Sequence, residues 1–114
     1  MRVFNQTRNL PLITQGRLAN TFWSRLRGLL GATSLKRGEG LILAGEKSIH
    51  TFLMRFPIDV VYVDESLRVI RVDSNMVPYR LGPFVTQSAY VLEMPVGTIT
   101  ETATAIGDQL KFDE

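Results

Sequence analysis

A chain of 114 residues is long enough for one domain to bury a single core without a disulfide or metal to hold it. It contains no cysteine, which excludes disulfide frameworks, thiolate-bound zinc or iron–sulfur clusters, and a thiol nucleophile. The formal charge is only +2, yet residues 1–57 hold nine Lys/Arg against two Glu while residues 58–114 hold four against nine Asp/Glu, an opposition that interleaved halves would neutralise across one surface. No segment approaches the roughly 18 apolar residues of a membrane span, and MRVFNQTRNLPLITQGR has no apolar run like that of a signal peptide. A cytoplasmic protein without membrane attachment is expected.

The β-forming residues around Val3 predict a strand over Met1 to Gln6, followed by a turn at Asn9-Leu10-Pro11 and a second strand from Leu12 to Leu18. Thr21 is placed to cap a helix to about Leu30, with Phe22, Leu26, Leu29 and Leu30 at helical spacing. Lys36 to Gly40 reads as a loop, Leu41 to Leu43 as a short strand and Gly45-Glu46-Lys47 as a turn. Alternation predicts a strand from Ser48 to Arg55; Pro57, lacking a ladder donor, divides it from a central strand through Val60 to Val63, covered on both faces. Asp64-Glu65-Ser66 turns the chain into a strand from Leu67 to Asp73, and Ser74 to Phe84, with Pro78, Gly82 and Pro83, is a long loop able to cover a pocket. Ser88 to Met94 is another strand, Thr98 and Glu101 have the spacing of a capping box opening a short helix, and Gln109 to Phe112 closes the chain. Seven or eight short strands with one helix in the N-terminal half and a short C-terminal one predict a mainly β fold, a small barrel or sandwich, as a single domain over residues 1–114.

The richest stretch is SIHTFLMRFPIDVVYVD, Ser48 to Asp64, where polar groups interrupt a core-forming run. Such groups are either paired for structure or kept for function. Asp59, early in the central strand, needs a cation or several donors, and Arg27 or Arg55 is the expected partner; an Arg27–Asp59 ion pair is the structural expectation. His50 titrates near neutrality, but Ser48, though on its face, lies about 7 Å away along a strand and Thr51 points to the other face, so no triad forms locally. His50 with Met54, Met76 or Met94 is a soft ligand set for copper(I), less economical than methionine as core filler. Glu93 and Asp108 would make a carboxylate pair only if the fold joins them. Arg8, Arg17, Arg25, Arg27, Lys36 and Arg37 could form a basic face, but with only Phe22 and Trp23 nearby nucleic acid is disfavoured.

Across most of its length the chain resembles a widespread prokaryotic family of uncharacterised conserved proteins, domain of unknown function 192. The resemblance is carried by Arg27-Gly28-Leu29-Leu30-Gly31, Gly38-Glu39-Gly40-Leu41, His50-Thr51-Phe52 with Met54, Pro57-Ile58-Asp59-Val60, Asp64, Leu92-Glu93, Gly97 and Gly107-Asp108. It implies a compact, mostly β domain and no established activity. Two departures limit it: the N-terminal signal of many relatives is missing, and Met54-Arg55-Phe56-Pro57 replaces a longer loop, so periplasmic roles and ligand contacts from that turn do not carry over.

The composition therefore points to a non-catalytic β-domain that binds a small molecule or a protein partner, with no cofactor and no metal. His50, Thr51, Arg55, Asp59, Asp64 and Glu93 are its candidate ligand-binding residues, and Arg55 with the Ser74 to Phe84 loop its rim. The competing reading is a metal-independent hydrolase or transferase using His50 with Asp59 or Glu93. The residues leave strand order and oligomeric state open.

Overall fold

The computed structural model describes residues 1–20, 34–49, 51 and 54–114. Among these, eight strands form two sheets: β1 (Arg2–Asn5), β2 (Leu10–Ile13), β3 (Gln15–Ala19), β4 (Glu39–Ala44), β5 (Ile58–Val63), β6 (Val69–Met76), β7 (Tyr90–Pro95) and β8 (Leu110–Asp113), with a one-turn helix α1 (Thr98–Thr102) between the last two. The smaller sheet has the order β2-β1-β8 and the larger β3-β4-β7-β5-β6. All neighbours pair antiparallel except β3 and β4, which run parallel. The fold is a sandwich, and the sheets do not close into a barrel.

The two-residue period of a strand places the core. Every residue of β5 is buried. Val61 and Val63 join Ile42, Leu92 and Met94 against Val3, Leu12, Ile13 and Leu110 of the smaller sheet, while Ile58, Val60 and Tyr62 join Leu41, Leu43 and Val91 in a second cluster on the opposite face. A side chain of this kind contributes roughly 1.5–3 kcal/mol when fully buried. The continuous apolar run of β5 is therefore the signature of a strand covered on both sides, as its sequence predicts.

Several boundaries differ from expectation for identifiable reasons. Leu10 and Pro11 open β2 rather than continuing the turn, and Pro11 is tolerated because β2 is an edge strand. The single strand expected from Leu12 to Leu18 breaks at Thr14, where the chain passes from one sheet to the other; the N–H groups of Thr14 and Gln15 both donate to the Gly38 carbonyl at 2.9 Å. The loop expected to run through Gly40 ends earlier, because Glu39 and Gly40 pair with Gln15 and Gly16. Gly40 permits the close approach: a Cβ there would lie 2.6 Å from Ile13 Cδ1. β6 extends three residues beyond the expected Asp73. The helix expected from Thr21 to Leu30 lies outside the described residues.

The strand expected from Ser48 to Arg55 is the largest correction. The described residues Ser48, Ile49, Thr51, Met54 and Arg55 carry no strand. Their main chain instead meets the 79–85 loop irregularly, Val85 N–H donating to Lys47, Gly82 N–H to Ile49, Thr51 N–H to Arg80 and Tyr79 N–H to Thr51. Alternation alone does not distinguish a strand from such a cover.

Charges from the two halves do pair across the fold. Arg8 Nε lies 3.0 Å from Asp108 Oδ2, and Arg37 Nη2 lies 2.9 Å from Glu101 Oε2. Asp108 Oδ2 also accepts from Asn5 Nδ2 at 3.0 Å and Ala105 N–H at 3.0 Å, joining β1 to the turn before β8. Burial opposes ionisation of Asp108, but the hydrogen bonds from Arg8, Asn5 and Ala105 prevail and hold its carboxyl below its ordinary value of 3.8. A depressed carboxyl stabilises the fold above its unfolded pKa and loses that contribution as pH falls through the folded one. Asp108→Asn is accordingly expected to flatten the acid limb of the stability profile below about pH 4, read by urea unfolding at successive pH values.

Candidate functional site

Among the described residues, two buried polar side chains stand on the second, outward face of the larger sheet. Glu93, in β7, pairs in register with Leu41 on one side and Val60 on the other, and is only 6% exposed. Tyr62, in β5, is opposite Val91, so it is the diagonal neighbour of Glu93 across the β5–β7 ladder. Tyr62 is fully buried, and its phenol oxygen is the one buried side-chain polar atom among the described residues without a hydrogen-bond partner. Among the described residues, the buried side chains clustered with Tyr62 are apolar: Leu41, Leu43, Met54, Ile58, Val60 and Val91.

This environment governs their protonation. Burial, then the Glu46 charge, pushes the Glu93 carboxyl up from 4.5 to about 7. Burial also pushes the Tyr62 phenol up to about 12, with Asp73 and Glu93 adding to the effect and Arg71 opposing it. Near neutrality the pair can therefore present a neutral O–H from Tyr62 and a carboxyl that is about half protonated.

The 77–85 segment covers this face. Thr51 holds it: its N–H donates to Arg80 O at 2.8 Å, its hydroxyl to Val77 O at 2.7 Å, and it accepts from Arg80 N–H at 2.7 Å. A Cβ on Gly82 would lie 3.0 Å from both the Tyr62 hydroxyl and the Ile49 carbonyl, so glycine lets the loop lie directly over the phenol. Tyr79 is held at φ 62°, a conformation costly for a bulky residue, and is 65% exposed beside Leu81 at 74% and Phe84 at 72%.

The other sequence candidates fall elsewhere. Asp59 points to the opposite face, where Oδ1 accepts from Asn75 N–H at 2.9 Å and Oδ2 from Gly97 N–H at 3.1 Å and Ile99 N–H at 2.9 Å. Among the described residues its partners are main-chain donors, and the exposed Arg55 is not one of them; the expected Arg27 and the candidate His50 lie outside the described residues. The capping box expected of Thr98 and Glu101 does not form: Gly97, at φ 101°, is the N-cap, and the distant Asp59 carboxylate supplies the acceptor that a local side chain was expected to provide. Thr98 Oγ1 instead donates to Pro95 O at 2.7 Å and accepts from Arg37 Nη1 at 2.8 Å.

Asp64 closes the β5–β6 turn, Oδ1 accepting from Ser66 N–H at 2.9 Å and Arg68 N–H at 3.0 Å. It also borders an open cleft of about 570 Å³ with Lys47 and Gln87, away from Glu93's strand neighbours. Thr51 has its hydroxyl committed to the loop; Met54 and Met94 lie in clusters on opposite faces of the sheet, and His50, to which either of them or Met76 was to be joined as a copper ligand, lies outside the described residues. Glu93 and Asp108 are likewise separated by the larger sheet, because Asp108 joins β1 on the far side. Among the described residues no group of three His, Asp or Glu is arranged to hold a metal ion.

Of the candidates, then, Glu93 stands in the buried polar pair, and its companion Tyr62 was missed. The signal for Tyr62 was present: a tyrosine inside a strand expected to be covered on both faces must bury its hydroxyl.

Residues 4–112 match the family model DUF192, described as Uncharacterized ACR. The chain belongs to the DUF192 family. Among relatives, a UPF0127 protein of Thermococcus sibiricus is 30% identical, the alignment covering 97% of this chain and 74% of that one. A UPF0127 protein of Pyrococcus horikoshii is 29% identical, with 96% and 97% covered. A crystal structure of a protein of unknown function from Novosphingobium aromaticivorans has the same fold, with a TM-score of 0.83 at 23% identity over 97% of this chain and 82% of that one. The solved structure shares this DUF192 member's fold, and none of the three names states an activity. No helix among its described residues is long and apolar enough to cross a membrane.

Proposed function

We propose that this DUF192 member is a non-catalytic binding domain for a small apolar molecule with a hydrogen-bonding head, held on the outward face of the larger sheet between Tyr62 and Glu93 and beneath the 77–85 loop. The observation that carries the proposal is the buried phenol oxygen of Tyr62, which has no partner. A buried polar atom left unpaired costs roughly 1–3 kcal/mol, and a ligand oxygen that accepts from it would recover that cost. Apolar walls with few polar groups are the usual composition of a small-molecule site, and the strained Tyr79 lies on the loop that would open. A carbonyl or hydroxyl head suits both groups, since the phenol donates and the Glu93 carboxyl donates when protonated or accepts when ionised.

In this proposal residues 1–114 act as one domain, in the cytoplasm, and Arg55 belongs to the rim rather than the site. Asp59, tied to three N–H groups, serves the fold rather than chemistry, which leaves Glu93 as the carboxylate open to the hydrolase reading.

The test is thermal unfolding with medium-chain alkyl ketones and alcohols, on the unmodified protein, Tyr62→Phe and Glu93→Gln. Without ligand, Tyr62→Phe removes the unpaired hydroxyl and is expected to raise Tm by roughly 4 °C, corresponding to about 1 kcal/mol. With ligand, the unmodified protein should gain stability and Tyr62→Phe should not. A Tyr62→Phe variant that is less stable than its parent, or that keeps the full ligand shift, would overturn the proposal.

A further inference from the structure

Among the described residues, β6 ends the order β3-β4-β7-β5-β6 and pairs only with β5. The turn before β8 caps its first residue, Val69 N–H donating to Asp108 and Gly107 N–H to Val69. From Ile70 onward, among the described residues, its outer edge has no main-chain partner. An open edge of this length invites another strand.

The side chains along that edge select the partner. Arg71 pairs with Tyr62 and Asp73 with Val60, which sets both over the outward face of the sheet. They bond to one another at 3.0 Å while remaining 46% and 22% exposed. Two copies of β6 laid antiparallel about a two-fold axis at Val72 would place Arg71 of each directly opposite Asp73 of the other, making two opposite-charge cross-strand pairs from one sequence. Shifting the register by two residues removes that match. Beside this edge Arg71, Phe84 and Ile106 line an open cleft of about 480 Å³, with Phe84 72% and Ile106 67% exposed, so the same symmetry would bring apolar surface of each copy toward the other.

We propose that the protein forms a two-fold dimer in which β6 of one copy pairs antiparallel with β6 of another, centred on Val72 and joining the two larger sheets into one of ten strands. The occupant of the edge is a second copy because the Arg71/Asp73 pattern complements itself.

The test is sedimentation equilibrium over a range of protein concentrations. Arg71→Asp gives each copy two acids at the junction and Asp73→Arg gives each two bases, so either variant alone sets like charges opposite and is expected to weaken the dimer by about 30-fold. Mixing the two variants in equal amounts restores both attractive pairs and should restore dimerisation, as should the exchange of both residues in one chain. Recovery in the mixture is a result that mere loss of folding cannot produce. A protein that is monomeric at every concentration overturns the proposal, and so does a dimer that both single variants leave unchanged.

Discussion

Replacing Asp59 by alanine is expected to lower the free energy of unfolding by about 3–5 kcal/mol, since it leaves the N–H groups of Asn75, Gly97 and Ile99 without their acceptor. The carboxylate ties three distant points to β5: the end of β6, the N-cap of α1 and its first turn. α1 has only five residues and Gly97 offers no side-chain cap, so it depends on this acceptor more than a longer helix would. Asp59→Asn should cost less, about 2 kcal/mol, because the amide keeps one oxygen but turns an NH₂ group toward remaining donors. Urea unfolding reads the loss, and hydrogen exchange at the Ile99 and Asn75 amides should accelerate more than in β5. A loss below 1 kcal/mol for the alanine variant would mean that the three N–H groups find other acceptors.

The second large effect is a pH dependence set by Glu93. Its carboxyl is raised from 4.5 to about 7 in the folded chain, by burial first and Glu46 second. The folded state thus retains a proton that the unfolded chain releases, so this contribution is complete below about pH 4.5, declines as pH rises through about 7, and is absent above. The whole decline is of order 3 kcal/mol. Glu93→Gln, neutral at every pH, should remove it, and the difference in stability between parent and variant should change across the window from pH 4.5 to 7. A difference that stays constant with pH would show that Glu93 is ionised in the folded protein without penalty. The sign is opposite to that of Asp108, whose stabilising charge is lost toward acid, so the two groups can be told apart by where the slope falls.

How much of this was legible follows from the range of each interaction. The central strand could be read from Ile58 to Val63 because continuous apolar residues leave no solvent face, and the Asp64 turn could be read because its acceptor and donors are at most four residues apart. The run from Ser48 to Arg55 misled because its alternation also suits a segment laid over a sheet, the main chain of Ile49 and Thr51 bonding to a loop some thirty residues on. At Thr98 the local pattern was that of a capping box, but Asp59 lies nearly forty residues away in sequence and no spacing rule reaches that far.

The sequence by itself determined the mainly β class, the two-sided burial of β5, the turns built on glycine, asparagine and aspartate, and the identity of the polar residues that interrupt the core. These depend on side-chain period and on contacts within a few residues. Only the tertiary structure decided which of those polar groups meet. Strand order and register put Glu93 beside Tyr62 and send Asp59 to the opposite face, because a side chain's face is set by the parity of its position in a ladder whose partner strand comes from elsewhere in the chain.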